Sequence, residues 1–131
     1  MATKTKRLRV LNEIYATLPS VECKGLCWQT CAHINVLPIE VVNIEHATGR
    51  PPEIINVPNL VNSQPMPMIK PTGVGQCPYL VMRRCSIHDQ RPLICRVFGA
   101  AVGLPCKHGC RTERIVPDKE VEDAIRRIEK L

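Results

Sequence analysis

The feature that most constrains this chain is its cysteine content. Eight cysteines occur in 131 residues, while aromatic residues make up only 3%. Large rings supply much of the buried area in most protein cores, so apolar burial offers this chain less stability than usual. Cysteine cross-links or cysteine-bound metal can replace that missing stability. We therefore expect the thiols to take part in holding the fold together.

The choice between disulfides and metal depends on the compartment. The first ten residues are basic, but Asn12 and Glu13 interrupt the chain before an apolar run of signal-peptide length can form. No window has the apolar length of a membrane span. We expect a cytoplasmic protein without membrane association, where reducing buffers favour cysteines that bind metal. A disulfide scaffold is the less favoured alternative.

Three segments have helical patterns. Apolar residues at three- and four-residue spacing predict a helix over residues 6–18, ended by Pro19. Pro38 suits the first turn of a second helix, which Gly49 would end. Asp118 is placed to cap a final helix, whose apolar stripe is formed by Val121, Ile125, Ile128 and Leu131.

The rest of the chain lacks regular periodicity. Residues 50–72 contain six prolines that preclude a helix, and so long a loop is usually a binding segment or mobile. The cysteines fall in the loop-like stretches between the helices. The predicted fold is therefore mainly α with long irregular loops, a small single domain over residues 1–131 organised around cysteine-bound metal.

The cysteine spacings separate into two groups. Close C-x3-C pairs, which can reach one metal at little loop-closure cost, are formed by Cys23 with Cys27, Cys27 with Cys31, and Cys106 with Cys110. The remaining thiols, Cys77, Cys85 and Cys95, need the fold to bring them together. The absence of any C-x2-C pair weakens a structural zinc site without excluding it.

Histidines provide few further candidate ligands. His33, His88 and His108 each lie within three residues of a cysteine, and a surface or capping role is the commoner one for such residues. His108 is the best placed, inside Cys106-Lys-His-Gly-Cys110. Eight thiols with few histidines favour an iron–sulfur cluster slightly over zinc, and two zinc sites remain an alternative.

The formal net charge of +6 assumes protonated thiols. A site with four thiolates around zinc or an oxidised four-iron cluster carries a charge of about −2. One or two such sites would therefore reduce the net charge of the protein to roughly +4 or +2. Basic residues can therefore serve to offset the charge of the metal centre.

Two motifs resemble a known family. They are Gly75-Gln-Cys77-Pro-Tyr-Leu80 and Cys85-Ser-Ile-His-Asp-Gln-Arg91-Pro92-Leu-Ile-Cys95-Arg96-Val-Phe98-Gly99. Together with Cys23-Lys-Gly25-Leu-Cys27 and the helix start Pro38-Ile-Glu40, they resemble the YkgJ-type cysteine-cluster proteins, the zinc- or iron-chelating CxxCxxCC family. The resemblance covers about residues 23–99.

The resemblance implies which cysteines bind the metal. It favours Cys23, Cys27, Cys77, Cys85 and Cys95 as ligands, followed by Cys31, Cys106 and Cys110. Trp28 stands where the family has the second cysteine of an adjacent pair, and His88 where it has tyrosine. Cys31, four residues after Cys27, is a candidate replacement for the missing thiol.

Two arginines lie within four residues of Cys95. The guanidinium groups of Arg91 and Arg96 can donate hydrogen bonds to sulfur and offset the negative charge of the centre. The alternative is that both are simply solvated.

Three classes of function remain open. The favoured one is a metal-chelating module with a structural, redox-sensing or iron-sensing role, which holds zinc or an iron–sulfur cluster such as 4Fe-4S. A zinc-stabilised nucleic-acid-binding protein is an alternative supported only by basic termini. A small cluster-dependent enzyme or enzyme accessory is another, although no catalytic residues stand out. The sequence does not identify a protein partner.

Overall fold

The computed structural model describes residues 3–19, 34–58, 65–82, 84–98, 100–101, 112 and 114–131. Within these residues the chain forms four α-helices and two small antiparallel sheets of two strands each. The fold is that of a small single domain, and its mainly helical class is confirmed. Its organisation around a bound metal stays a prediction. None of the helices in the described ranges is both long enough and apolar enough to cross a membrane.

Helix α1 spans Lys4–Ala16, two residues earlier than its apolar spacing predicted. The side chain of Thr3 caps its start by accepting a hydrogen bond from the Lys6 backbone N–H at 3.2 Å. Its buried face is the predicted one and comprises Leu8, Leu11, Ile14 and Tyr15.

Helix α2 spans Pro38–Thr48 and confirms both of its predicted ends. Proline at the first helical position loses no hydrogen bond, because that backbone N–H would have no partner within the helix. Gly49 ends the helix in the left-handed conformation at φ 82°, with open space around the position of a Cβ. The conformation itself, and not crowding, therefore explains the glycine.

The proline-rich segment contains a hairpin that the sequence did not predict. Strand β1, Ile54–Pro58, pairs with strand β2, Pro65–Ile69, so the expectation of an irregular loop was wrong for these two stretches. Of the three prolines in these strands, Pro58 and Pro65 pair at the end of the ladder, where a missing backbone donor is tolerated. The Pro67 carbonyl still accepts a hydrogen bond from the Val36 backbone at 3.2 Å.

A second, shorter hairpin leads into the third helix. Strands β3, Leu80–Val81, and β4, Arg84–Cys85, pair directly, and a 3-10 turn at His88–Gln90 precedes helix α3, Leu93–Val97. Cysteines therefore occur on a strand and in a helix, and the prediction that they are confined to loops was wrong for Cys85 and Cys95. Elements of two and five residues are too short to produce a recognisable period.

Helix α4 spans Asp118–Glu129. Asp118 is its first helical residue, and Pro117 holds the cap position without a side-chain hydrogen bond, so the predicted capping role of Asp118 was wrong. An acidic residue in the first turn still favours the helix through the dipole.

The buried residues form two clusters, and α2 contributes to both. The first packs the faces of α1 and α4 together and includes Leu11, Ile14, Ile39 and Ile128. The second contains Ile34, Val36, Ile44, Ile69, Cys77 and Ile87. Because Ile39 belongs to the first and Ile44 to the second, α2 separates an aliphatic helical core from the core that contains cysteine.

Candidate metal centre

Three of the eight candidate ligands lie in the described part of the chain, each on a different element. Cys77 lies in the turn before β3, Cys85 ends β4, and Cys95 is the central residue of α3. Cys77 is a buried member of the second core cluster, and the other two pack against that cluster. Thus the fold gathers the three cysteines whose sequence spacing is widest.

The remaining candidates fall outside the described residues, so their predicted roles stay predictions. They are Cys23, Cys27, Cys31, Cys106 and Cys110, together with the histidines His33 and His108.

The described thiols influence one another electrostatically. The pKa of Cys95 is raised to about 12. Burial is the largest cause, and negative charge on Cys77 and Cys85 contributes to the same increase. Burial also raises the pKa of Cys85, against the lowering effects of a backbone hydrogen bond from Ile87 and the charges of nearby arginines. Without a cation the Cys85 and Cys95 thiols stay protonated at neutral pH, because both pKa values are raised. A thiophilic metal would supply the positive charge that thiolates require here.

The described residues alone do not complete a metal site. Among them, no group of three or more His, Cys, Asp or Glu side chains has an arrangement that could hold a metal ion. The chemistry of the donor set nevertheless fits the implied metals, because soft thiolates select zinc and iron–sulfur clusters. Any complete ligand set would have to draw on cysteines beyond those described.

The two candidate arginines are held by backbone carbonyls. Arg96 donates from Nε to the Arg91 carbonyl at 2.8 Å and from Nη2 to the Asp89 carbonyl, and Arg91 donates from Nε to the His88 carbonyl at 2.9 Å. Both positive charges lower the pKa of Cys85, although burial outweighs them. They therefore offset negative charge near the thiols, while hydrogen bonding to sulfur stays a prediction.

A buried carboxylate lies beside this region. Glu40 is only 1% exposed, and its Oε2 accepts hydrogen bonds from the Tyr15 hydroxyl and from the Leu93 backbone N–H, both at 2.5 Å. Its Oε1 accepts a bond from the Leu37 backbone N–H at 3.0 Å. Burial raises the pKa of Glu40, and these three donors partly counteract the increase.

Tyr15 connects this carboxylate to the arginine beside Cys95. The Arg96 guanidinium lies 3.9 Å from the centroid of the Tyr15 ring, in a cation–π contact. Burial raises the pKa of the Tyr15 phenol above its usual value, and the negative charge of Glu40 adds to the effect. The phenol is therefore a hydrogen-bond donor at neutral pH.

The sequence interpretation missed the roles of both residues. Tyr15 was assigned only to an apolar helix face, and Glu40 only to the start of a helix. A detectable signal was present: Glu40 lies four residues before the buried Ile44, which puts a carboxylate on the buried face of α2. The same helix buries Asn43, whose Nδ2 finds no hydrogen-bond partner among the described residues.

A protein-family model matches residues 22–125, which is most of the chain and includes all eight cysteines. Its description is "Putative zinc- or iron-chelating domain", and its name is CxxCxxCC. The chain belongs to the CxxCxxCC family. The match confirms the resemblance and extends it from residue 99 to residue 125. No curated protein and no solved structure matches the chain significantly.

Proposed function

We propose that this CxxCxxCC protein chelates metal through its cysteines, with an iron–sulfur cluster slightly favoured over zinc. The family description supports zinc or iron chelation in general terms. The observation that carries the proposal is that Cys85 of β4 and Cys95 of α3 pack against the core cluster that contains Cys77. In this proposal they share the metal with cysteines drawn from Cys23, Cys27, Cys31, Cys106 and Cys110.

The protein's own residues have defined tasks in this proposal. The thiols must lose protons on binding, because thiolate is the ligating form. The charges of Arg91 and Arg96 favour that loss, since both lower the pKa of Cys85. A bound iron–sulfur cluster would supply sensitivity to oxidants, whereas bound zinc would supply structure alone. We propose a structural role, or one in sensing redox state or iron, in the cytoplasm.

The direct test is metal and acid-labile sulfide analysis with an optical spectrum, on protein purified without oxygen. Iron with sulfide and thiolate-to-iron absorption near about 400 nm would identify a cluster protein. Colourless protein with stoichiometric zinc would identify a zinc protein and support metal chelation without the cluster. Protein that retains neither metal, and takes up neither on reconstitution, would refute the proposal.

The ligand assignment is tested by Cys85→Ser. We expect this variant to lose most of its metal and to melt at a lower temperature, because stability in a metal-binding domain is linked to metal occupancy. Val81→Ser is a matched control, because it introduces the same side chain into the same hairpin at a position 55% exposed. Full metal content and an unchanged melting temperature in Cys85→Ser would contradict the assignment.

A further inference from the structure

Helix α3 is too short to hold its own position. It contains five residues, and isolated helices of that length are unstable because nucleation costs more than so few hydrogen bonds return. Its orientation must therefore come from contacts with the rest of the molecule. Since Cys95 lies at its centre, those contacts also determine where the Cys95 thiol points.

Leu93 and Val97 bury α3 in the first core cluster, and two further contacts hold it on either side of Cys95 and lead to the N-terminal helix. Two residues before Cys95, the Leu93 backbone N–H donates a hydrogen bond to Glu40 Oε2 at 2.5 Å. The same oxygen accepts a hydrogen bond from the Tyr15 hydroxyl. One residue after Cys95, the Arg96 guanidinium lies on the Tyr15 ring. Tyr15 and Glu40 thus connect α1, α2 and α3 in one buried arrangement.

The bonds to Glu40 are well suited to fix a position. The carboxylate is almost fully buried, so no solvent competes for its hydrogen bonds. Three donors from three parts of the chain converge on its two oxygens, and a buried group bound in this way is costly to displace. Tyr15 belongs to α1, which precedes the matched family segment of residues 22–125. The N-terminal helix therefore lies outside the matched segment and still contacts residues beside Cys95.

We infer that Tyr15 and Glu40 are positioning residues of the metal centre, which hold α3 so that the Cys95 thiol is presented in the geometry for metal binding. This inference rests on the proposed function. It assigns to α1 a specific task at the centre, in addition to its part in the aliphatic core.

The test uses the full-length chain with zinc and with cobalt(II), whose thiolate charge-transfer and ligand-field bands report the ligand geometry. The variants are Tyr15→Phe, which removes only the hydroxyl, and Glu40→Gln, which keeps the size of the side chain. We expect each to weaken zinc binding by about 10- to 100-fold in a chelator competition, the usual effect of losing a group that orients a ligand. We also expect an altered cobalt spectrum.

Ile14→Val is the matched control, because Ile14 lies next to Tyr15 in α1, is 1% exposed and belongs to the same aliphatic core. It removes one methyl group from the aliphatic core and none of the hydrogen bonds to Glu40. Wild-type zinc affinity and cobalt spectrum in Ile14→Val would support the inference. An equal loss of affinity in Ile14→Val, or unchanged affinity and spectrum in both polar variants, would overturn it.

A metal-independent measurement separates this inference from the proposed function. In the metal-free protein, the rate of Cys95 alkylation by iodoacetamide can be followed by peptide mass spectrometry, with Cys85 as the internal reference. A selective increase at Cys95 in both Tyr15→Phe, which keeps the Glu40 carboxyl group, and Glu40→Gln, absent in Ile14→Val, would support positioning of α3 even if the wild type bound no metal. No selective increase would show that Glu40 does not hold α3, whatever the metal content.

Discussion

At the residue scale, burial in the cysteine region disfavours the charged forms of its thiol and carboxyl groups. Cys95 and Glu40 both have raised pKa values, with burial as the largest cause, and the negative charge of Glu40 contributes to the raised pKa of Cys95. The positive charges of Arg91 and Arg96 act in the opposite direction. The neutral thiol form of these cysteines is therefore favoured in the metal-free protein, and a bound cation would favour the thiolate form instead.

Glu40 gives a prediction for the pH dependence of stability in the metal-free protein. The pKa of Glu40 is raised above 4.5 in the folded state, so the folded state binds the Glu40 proton more tightly than the unfolded chain does. The contribution is fully present below the unfolded pKa and is lost as pH rises through the folded pKa. We expect the stability advantage of the wild type over Glu40→Gln to shrink as the pH rises from below 4.5 through the raised pKa of the folded state.

Thermal unfolding of the two metal-free proteins across that pH range measures this difference. Using the difference between them cancels the titration of all other groups to first order. An advantage that grew with pH would mean that the hydrogen bonds to the ionised carboxylate outweigh its burial.

At the element scale, the length of each helix or strand determined whether the sequence could predict it. Helices α1, α2 and α4 each span eleven or more residues, and their periodicity, or a proline start and glycine end, located them to within about two residues. Helix α3 and strands β3 and β4 are too short for a period, and the prolines of β2 concealed the first hairpin. The cysteines are predicted as ligands from the sequence, and the spacing of Glu40 from Ile44 indicates that Glu40 is buried, whereas the pairing of Glu40 with Tyr15 depends on tertiary contact and could not be predicted.

A further prediction concerns the end of helix α2, which contributes to both core clusters and contains Glu40. Gly49→Ala should destabilise the protein by about 1 kcal/mol, since a Cβ is strained at a left-handed φ even where space is open. Gly73→Ala is the control, because it also has open space but no positive φ. Chemical denaturation measures both variants. Equal stability of the two would show that the end of α2 relaxes without cost.

At the scale of the whole molecule, the two clusters differ in what stabilises them. The first is built mainly from apolar residues of α1, α2 and α4, together with Leu93 and Val97 of α3, and no cysteine is among its described members. The second combines a few aliphatic residues with Cys77, and Cys85 and Cys95 pack against it; the two hairpins contribute Ile69 and Cys85. Two-stranded hairpins are marginal by themselves, so the second cluster has the greater need of an additional constraint.

This contrast predicts that removing the metal affects the two clusters unequally. At free metal about 1,000 times the dissociation constant, binding to the folded state alone contributes about 4 kcal/mol, and chelation should remove that contribution. We expect amide hydrogen exchange to accelerate most around Ile69 and Ile87, while Leu11, Ile14 and Ile128 keep most of their protection. Mass-spectrometric exchange with and without chelator tests this. A uniform acceleration would mean that both clusters unfold as one unit, because α2, shared between them, would then transmit the loss of metal across the entire fold.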